Sequence, residues 1–398
     1  MNRLPPAYLS ALGLVNALGN SREEVRARLL AGDGSGMVRE SGWLTSGEEA
    51  LVGKVRGELP KLPEHLARYD CRNNRLLLAA LAQISEPVEQ AIDRYGRARV
   101  GVVLGTSTSG IAEGEAAIAA LDRDGAMPAK FDYASQEIGT AAPFLARHLG
   151  LLGPAYTVST ACTSSAKALV SARLLLAAGV CDAVLAGGVD SLCRLTVSGF
   201  TALESVSPER CNPMSANRCG INIGEGAALF LLTRETAPIA LLGHGETSDA
   251  HHISAPHPEG LGAEAAMRVA LHDAGLKPAD IAYVNLHGTA TPKNDEMESR
   301  AMRRVFSADT PASSTKPLSG HTLGAAGATE IAFCWLALSD DNARLPPHVW
   351  DGVADPALPP LHLVQTGERM RSEKPRVVMS NGYAFGGSNV SLIIGAIC

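Results

Sequence analysis

The sequence predicts an α/β protein, and three observations lead to that fold class. The chain has 398 residues, which is enough to bury a large core. Apolar residues make up 46% of it and charged residues 19%, while 40 glycines and few aromatic side chains are typical of helices packed closely on sheets. Short apolar runs that open into Gly, Ser and Thr alternate with helical patterns, as in chains whose strands and helices alternate.

The first half of the chain contains several of these apolar runs. They predict strands at 8–15, 100–104, 155–160, 181–188 and 227–233. Helical patterns follow the first and third strands, at 21–32, where Ser21 is a candidate N-cap, and at 163–178. The second of these helices joins two strands, so residues 155–188 predict a β-α-β unit. Residues 189–225 are rich in Ser, Asn, Pro and Cys and predict loops that lie over a site.

The second half begins another series of strands and helices. Strands are predicted at 239–249, 281–288, 375–380 and 391–394, and helices at 262–274 and 294–306. The matching order of elements suggests a duplication, although no sequence period is visible. We place the boundary near residue 236, which gives an N-terminal half, 1–236, and a C-terminal half, 237–398.

Charge and terminal sequence exclude several classes of function. The formal net charge is −6, and no stripe of Lys and Arg with interleaved aromatic residues is present, so nucleic acid is not an expected partner. The opening MNRLPPAYLSALG has two prolines where a signal peptide needs an apolar segment, and no apolar run approaches the ~18 residues of a spanning helix. We therefore expect a cytoplasmic protein with no membrane span.

The eight cysteines form no CxxC pair, so most are predicted to be small buried apolar residues; they lie at 71, 162, 181, 193, 211, 219, 334 and 398. Cys162 differs because TVSTACTSSAKAL places it where a strand turns into a helix, among small neighbours. In the first turn of a helix, free N–H groups and the helix dipole would lower the pKa of its thiol. From the local sequence alone, a buried structural cysteine is an equally good interpretation.

Three further segments carry candidate functional residues. NLHGTATPKND places His287 at the end of a strand, where ligands bind in α/β sheets. STKPLSGHTLGAAGATE contains Lys316 and His321 in a run of small residues, and SNGYAFGGSN is a glycine-rich turn with Phe385 at its centre. Each of these segments is weak evidence by itself.

Together, the four segments resemble the β-ketoacyl-acyl-carrier-protein synthases of the thiolase superfamily, specifically the elongating enzymes with a Cys-His-His triad. The order and spacing of TACTSSAKAL, HGTATPKND, KPLSGHTLGAAG and FGGSN carry the resemblance, which covers nearly the whole chain. It implies a thiolase-like five-layer αβαβα sandwich of two similar halves that works as a dimer. It also implies acyl- and malonyl-loaded acyl carrier protein as the partner, and neither a cofactor nor a metal.

The resemblance assigns the catalytic roles by matching motif positions. Cys162 matches the nucleophile, His287 and His321 match the catalytic histidines, Lys316 matches the lysine that orients and polarises them, and Glu330 matches the acid beside that lysine. The remaining matches are the pantetheine-binding Thr289 and Thr291, the motif acid Asp295, the gating aromatic Phe385 and Phe200 in the acyl-pocket wall. Backbone N–H groups of Cys162 and Phe385 would form the oxyanion hole.

The implied reaction is a decarboxylative Claisen condensation. Cys162 would take an acyl group from a carrier-protein thioester, and two neutral histidines, each donating from Nε2, would stabilise the enolate that malonyl decarboxylation leaves. Ala384, Lys293 and Asn294 depart from the common pattern of fatty-acid elongation enzymes. GTSTSGIAEGE, TPKND and AFGGSN are more similar to the condensing enzymes of bacterial aryl-polyene clusters.

Alternative interpretations remain open at the level of sequence. The chain could be the active subunit of a heterodimer with a cysteine-less chain-length-factor homologue, or a non-catalytic partner subunit, against which the presence of Cys162 argues. A histidine cluster, at 244, 251, 252 and 257, could suggest a zinc hydrolase, but no cysteine or carboxylate completes a ligand spacing. Arg68, Arg72 and Arg75 could dock an acidic carrier protein or form a solvated helix face.

Overall fold

The computed structural model describes residues 3–373 and 375–397, so Cys398 lies outside the described residues. The strands of the first half are β1 (Ala7–Asn16), β2 (Met37–Glu40), β3 (Ala50–Gly53), β4 (Val100–Gly105), β5 (Ala155–Val158), β6 (Ala183–Asp190) and β7 (Gly226–Thr233). Its helices are α1 (Arg22–Ala31), α2 (Arg72–Ala82), α3 (Ser85–Tyr95), α4 (Ile111–Asp124), α5 (Ala141–Leu149), α6 (Ser164–Ala177) and α7 (Arg194–Ala202).

The second half follows the same alternation. Its strands are β8 (Ile239–Ser248), β9 (Tyr283–Asn285), β10 (Pro311–Ser313), β11 (His362–Leu363), β12 (Val377–Tyr383) and β13 (Ser388–Ala396). Its helices are α8 (Leu261–Ala274), α9 (Pro292–Val305), α10 (Lys316–Ser319) and α11 (Ala326–Leu338). Short 3₁₀ turns lie at Glu64–Tyr69, Arg97–Arg99, Tyr133–Ser135, Pro278–Asp280 and Leu323–Ala325.

The strand order repeats between the two halves. In the described chain, eleven strands form one sheet in the order β11-β10-β9-β12-β13-β8-β1-β7-β6-β4-β5. The order β5-β4-β6-β7-β1 therefore corresponds to β10-β9-β12-β13-β8, with the first three strands parallel and the last two antiparallel in each set. The halves join through a short antiparallel contact of β1 with β8. This repetition confirms the predicted α/β fold of two similar halves.

Alternation of side chains along the strands divides the core into layers. Phe230 of β7 packs in a central cluster with α6 and α11, whereas Leu229 faces an outer cluster formed with α2 and α5. In the second half, Val378 of β12 faces the same central cluster and Met379 faces an outer cluster with α8 and α9. Outer helices, two sheet halves and the central helix pair make five layers.

One prediction for the first half was wrong. The segment 189–225, predicted as loops, contains helix α7. Val197 is the buried side chain of this helix, and a helix that buries so little does not need the periodic apolar face by which helices are predicted. The sequence interpretation had also not identified α2 to α5 or the hairpin of β2 and β3. The proposed boundary at residue 236 falls between β7 and β8 and stays a prediction. The helices of the described residues are all too short or too polar to cross a bilayer.

Candidate active site

Cys162 lies in the turn that connects β5 to α6. Ala161, just before it, has a φ of 52°, in the left-handed region that residues other than glycine rarely adopt. Ser164 stabilises this turn, because its Oγ donates to Ala161 O at 2.6 Å and accepts from Thr160 N at 2.9 Å. The helix begins at Ser164 after the N-cap Thr163, so Cys162 precedes the helix instead of lying in its first turn.

The two predicted catalytic histidines converge on this cysteine from the second half of the chain. His287 follows β9, and His321 follows α10. One ligand atom from each of Cys162, His287 and His321 lies within 4.8 Å of the other two, and His321 Nε2 lies 3.0 Å from Cys162 Sγ. The imidazole rings meet edge to face, with centroids 5.5 Å apart. The fold thus assembles in one place residues that are up to 159 positions apart.

A buried ion pair fixes the orientation of one histidine. Lys316 Nζ donates to His287 O and to Glu330 Oε1, and it lies 3.5 Å from His287 Nδ1. An ammonium that faces Nδ1 requires a lone pair there, so the proton of the neutral His287 ring is on Nε2. The sequence interpretation gave Lys316 a role toward both histidines, but its side-chain contacts among the described residues are with His287 and Glu330.

The second histidine is held less tightly. His321 Nδ1 is buried and has no hydrogen-bond partner among the described residues. Nothing in its surroundings selects one tautomer, so Nε2 can accept a proton from the Cys162 thiol or donate one.

Burial keeps all three reactive groups neutral at rest. It raises the pKa of the Cys162 thiol to about 12, against the opposing effect of Lys316. Burial also lowers the pKa of His287 and that of His321 well below the ordinary value, and the nearby Lys316 charge lowers both further. The sequence prediction of a lowered thiol pKa was therefore wrong, because desolvation outweighs the helix N-terminus from which Cys162 is displaced.

The triad opens into a cavity of about 380 Å³. Lys316, Glu330 and the motif acid Asp295 are buried outside its lining, whereas the remaining predicted site residues line it: Cys162, Phe200, His287, Thr289, Thr291, His321 and Phe385. Thr289 and Thr291 share a hydrogen bond of 2.9 Å between their hydroxyl groups. The three departures noted in the sequence also line the cavity: Lys293 at its exposed rim, the buried Asn294, and Ala384 beside Phe385.

Phe385 lies in the glycine-rich turn between β12 and β13. Its ring contacts that of Phe200 with centroids 5.6 Å apart. Ser388, the first residue of β13, accepts a hydrogen bond from Thr163 Oγ1 at 3.0 Å, which connects the end of this turn to the loop that carries Cys162. Ala384 and Gly386 donate their N–H groups to other carbonyls, whereas the Phe385 N–H has no acceptor among the described residues. That free donor is what an oxyanion hole requires.

Glu298 on α9 is a site residue that the sequence interpretation missed. Its carboxyl oxygens accept the N–H groups of His287 and Gly288, each at 2.7 Å, and burial raises its pKa to about 8. Asp295, one turn earlier, accepts the N–H of Ala290. The spacing of three between the two acids, which places them on one helix face, was the available signal.

Asp190, at the end of β6, is a second residue that was missed. One of its oxygens accepts from the Thr106 hydroxyl and from both Thr108 Oγ1 and the backbone of Ser107, while the other accepts Ala325 N at 3.0 Å. Asp190 is fully buried and thus joins the loop after β4 to the start of α11. A lone acid at a strand end gave no sequence signal for this role.

The four histidines proposed as a zinc site do not form one group: the rings of His251 and His257 lie 5.1 Å apart, but the other two are engaged elsewhere. His244 Nδ1 contacts Arg173 and Asp273, and His252 Nδ1 accepts backbone N–H groups of its own loop. Within the described residues, the single group with the spacing of metal ligands is the Cys-His-His cluster itself. The zinc-hydrolase interpretation has no site to support it.

The basic patch is largely engaged in ion pairs within the chain. Arg72 Nε lies 2.7 Å from the buried Glu225, and Arg75 Nε lies 2.7 Å from Asp70. Arg68 is more exposed and lies 3.4 Å from Asp132. A docking role for these three arginines stays a prediction.

Comparison with known proteins agrees with the geometry. The family models described as "Beta-ketoacyl synthase, N-terminal domain" and "Beta-ketoacyl synthase, C-terminal domain" match residues 11–237 and 239–349. Nodulation protein E of Rhizobium sp. (strain N33) is 35% identical, covering 88% of this chain and 90% of its own length. The 3-oxoacyl-[acyl-carrier-protein] synthase 2 of Vibrio cholerae is 30% identical, covering 97% of each chain.

A solved structure is more similar still. The ketosynthase ApeO of Xenorhabdus doucetiae, in complex with its chain length factor ApeC, gives a TM-score of 0.93 at 47% identity and covers 99% of this chain and 98% of that one. The matched family domains follow one another through both halves, around a site with the cysteine and histidines predicted from the motifs. We conclude that the chain belongs to the β-ketoacyl synthase family, the acyltransferases that form carbon–carbon bonds on carrier-protein thioesters.

Proposed function

We propose that this enzyme condenses malonyl-acyl-carrier protein with an acyl group held on Cys162, which gives a β-ketoacyl-carrier protein and carbon dioxide. The observation that carries the proposal is the buried cluster of a thiol and two neutral imidazoles at one cavity, with 3.0 Å between Cys162 Sγ and His321 Nε2. Acyl transfer needs the thiol, and decarboxylation needs donors for an enolate oxygen. The cluster supplies both.

In the first step, Cys162 attacks the carbonyl carbon of an acyl-carrier thioester. Because its thiol is neutral at rest, the proton passes to His321 Nε2 as the S–C bond forms. The N–H groups of Cys162 and Phe385 would hold the oxyanion. The bond to the pantetheine sulfur then breaks, and that thiolate takes the proton back from His321 as it leaves.

In the second step, malonyl-carrier protein occupies the same cavity. The bond between the methylene carbon and the carboxylate breaks, carbon dioxide leaves, and the electron pair forms an enolate. The Nε2–H of His287, whose tautomer Lys316 selects, donates to the enolate oxygen together with Nε2–H of His321. The enolate carbon then attacks the carbonyl carbon of the Cys162 thioester, the carbon–sulfur bond breaks to release the β-ketoacyl product, and the Cys162 thiolate takes up a proton from solvent, which restores the neutral thiol.

The identity of the pathway rests on two observations. The 47% identical ketosynthase was solved with its chain length factor. The segments GTSTSGIAEGE, TPKND and AFGGSN are similar to condensing enzymes of aryl-polyene clusters. We therefore favour polyketide-like or aryl-polyene chain elongation over housekeeping fatty-acid synthesis, and a heterodimer with a cysteine-less homologue over a homodimer.

An exposed sheet edge supports a paired subunit. Strand β5 ends the sheet in the described chain, and unpaired edge strands are readily covered by another chain. Large apolar side chains are exposed in β5, just before it and on the adjoining α6: Leu152 (77%), Leu174 (44%) and Tyr156 (36%). Light scattering of the chain alone and coexpressed with a cysteine-less homologue distinguishes the two dimers, since a fully active dimer of this chain alone would contradict the heterodimer.

The central test is synthesis of β-ketoacyl-carrier protein from acyl- and malonyl-carrier protein, followed by mass spectrometry. We expect Cys162→Ala to fold and to make no condensation product, and His321→Ala to lose malonyl decarboxylation. β-Ketoacyl product from Cys162→Ala would refute the nucleophile assignment. Decarboxylation at the wild-type rate by His321→Ala would refute the enolate role of that histidine.

We also propose a cytoplasmic location. The seven cysteines that the structure describes are all unpaired, as is usual in a reducing compartment. Cell fractionation with a tagged chain tests this.

A further inference from the structure

Tyr383 brings an unused hydroxyl to the reaction cavity. It is the last residue of β12, which runs parallel to β9, with Ser380 opposite Asn285. The ends of these neighbouring strands therefore deliver Tyr383 and His287 to the same edge of the sheet, and their rings lie 5.8 Å apart at 74°. Tyr383 lines the cavity but had no role in the sequence-based interpretation.

Among the described residues, the Tyr383 hydroxyl has no hydrogen-bond partner, which is costly for a buried polar group. Tyr383 is 5% exposed, and among the described residues that line the cavity its hydroxyl and His321 Nδ1 are the two buried polar side-chain atoms without a partner. A buried tyrosine hydroxyl normally donates a hydrogen bond to an acceptor. An acceptor group on the bound substrate would explain why the Tyr383 hydroxyl has none in the protein.

Other polar side chains of the cavity have partners or another expected role. One hydroxyl of the Thr289 and Thr291 pair donates to the other at 2.9 Å, and the family resemblance assigns this pair to the pantetheine arm, while Asn389 Nδ2 donates to Asp249 at 2.7 Å. Lys293 is exposed at the rim. The Tyr383 hydroxyl is therefore the best-placed hydrogen-bond donor for a substrate group that binds beside His287.

We propose that the Tyr383 hydroxyl donates a hydrogen bond to the carboxylate of the malonyl substrate; this inference rests on the proposed condensation. The malonyl carboxylate is the negatively charged group that separates this substrate from the acyl donor, and it must lie close to the histidines that receive the enolate oxygen. Burial, with Glu298 and Asp249 nearby, raises the pKa of Tyr383 well above its ordinary value, so the phenol stays a neutral donor.

A neutral donor suits a group that must lose its charge. The hydrogen bond positions the carboxylate in the bound substrate and disappears as carbon dioxide leaves, with the phenol proton staying on Tyr383. The negative charge moves to the enolate oxygen, where His287 and His321 donate. The interaction therefore contributes to binding of malonyl substrate more than to the rate of decarboxylation once bound.

The test compares Tyr383→Phe with Tyr283→Phe in three assays: acyl loading of Cys162, malonyl-carrier-protein decarboxylation and full condensation. Tyr283 is also buried, but its hydroxyl bonds to Ser313 at 2.7 Å outside the cavity, so its variant controls for loss of a buried phenol oxygen. We expect Tyr383→Phe to raise the KM for malonyl substrate about tenfold or more, with kcat and acyl loading unchanged, as for a hydrogen bond to a charged group. Tyr283→Phe should leave all three assays unchanged.

The outcomes separate this inference from the proposed function. A KM for malonyl substrate within twofold of wild type in Tyr383→Phe, or an equal loss of acyl loading, overturns the carboxylate contact while the condensation stands. Failure of the wild-type enzyme to condense overturns the proposed function and this inference with it.

Discussion

The buried pair of Lys316 and Glu330 gives the sharpest test of how the site works, because stability and catalysis should separate. Lys316 is 2% exposed and Glu330 3%, and the second carboxyl oxygen of Glu330 has no partner among the described residues. Lys316→Met leaves that carboxyl buried and unpaired. Breaking such a pair costs about 3–5 kcal/mol, whereas replacing both charges by apolar residues is often nearly neutral.

We therefore expect Lys316→Met to lower the free energy of unfolding by about 3–5 kcal/mol, and the double variant Lys316→Met/Glu330→Leu to recover most of it. Part of the loss persists, about 1 kcal/mol, because His287 O also loses its Nζ donor. Equilibrium unfolding in denaturant measures these differences.

Catalysis should not recover in the double variant. Without an ammonium at 3.5 Å from Nδ1, the His287 ring can carry its proton on either nitrogen, and the form with Nδ1–H has no donor for the enolate. Loss of one oxyanion donor lowers kcat by about 100-fold. Malonyl decarboxylation is the assay, and Arg218→Met, which breaks a pair with Asp355, is the matched control with unchanged kcat. Recovery of both stability and decarboxylation in the double variant would refute the tautomer argument.

Cys162, Glu298 and Phe385 each give a further prediction. Alkylation of Cys162 by iodoacetamide should keep accelerating with pH through pH 9, because burial raises its thiol pKa to about 12; a plateau at lower pH would contradict that value. The free energy of unfolding of the wild type, measured relative to Glu298→Gln, should fall by a few kcal/mol between about pH 5 and pH 8. The reason is that the folded carboxyl of Glu298, with a pKa raised to about 8, keeps a proton that the unfolded chain releases. A difference between the two proteins that does not change with pH would contradict this. Phe385→Ala keeps its backbone N–H but removes the ring against Phe200, so acyl loading should persist while hydrolysis of the acyl-enzyme rises; an acylation defect as deep as that of Cys162→Ala would mean that the ring itself holds the acyl group.

The sequence predicted candidate site residues, several of which the fold brings together, because they lie in short motifs at the ends of strands. Cys162 and His287 each follow an apolar run that predicts a strand and ends in small residues. The family resemblance then indicated that the two residues belong to one site. The chain order alone could not place His321 at Cys162, since that contact spans 159 positions and depends on the packing of α6 against α11.

What the sequence could not predict depends on burial and on long-range hydrogen bonds. The predicted direction of the thiol pKa shift was wrong because a helix N-terminus is visible in the sequence, whereas the burial of Cys162 is not. Glu298 and Asp190 were missed for the same reason. Each accepts N–H groups of a loop outside its own element, Glu298 from Gly288, ten positions away, and Asp190 from Ala325, 135 positions away. The spacing of Glu298 from Asp295 indicates a shared helix face but does not identify these partners.

The way the two halves pack also explains why the Cys162 thiol and the imidazoles of His287 and His321 are neutral. Helices α6 and α11 occupy corresponding positions, after β5 and β10, and pack together in the central layer. The nucleophile precedes one helix and His321 precedes the other, so both lie buried where the halves meet. Desolvation there disfavours the thiolate and the imidazolium together, which leaves Lys316 and Glu330 as the charge pair beside the triad. The proton of Cys162 therefore moves only when a substrate carbonyl arrives to receive the sulfur.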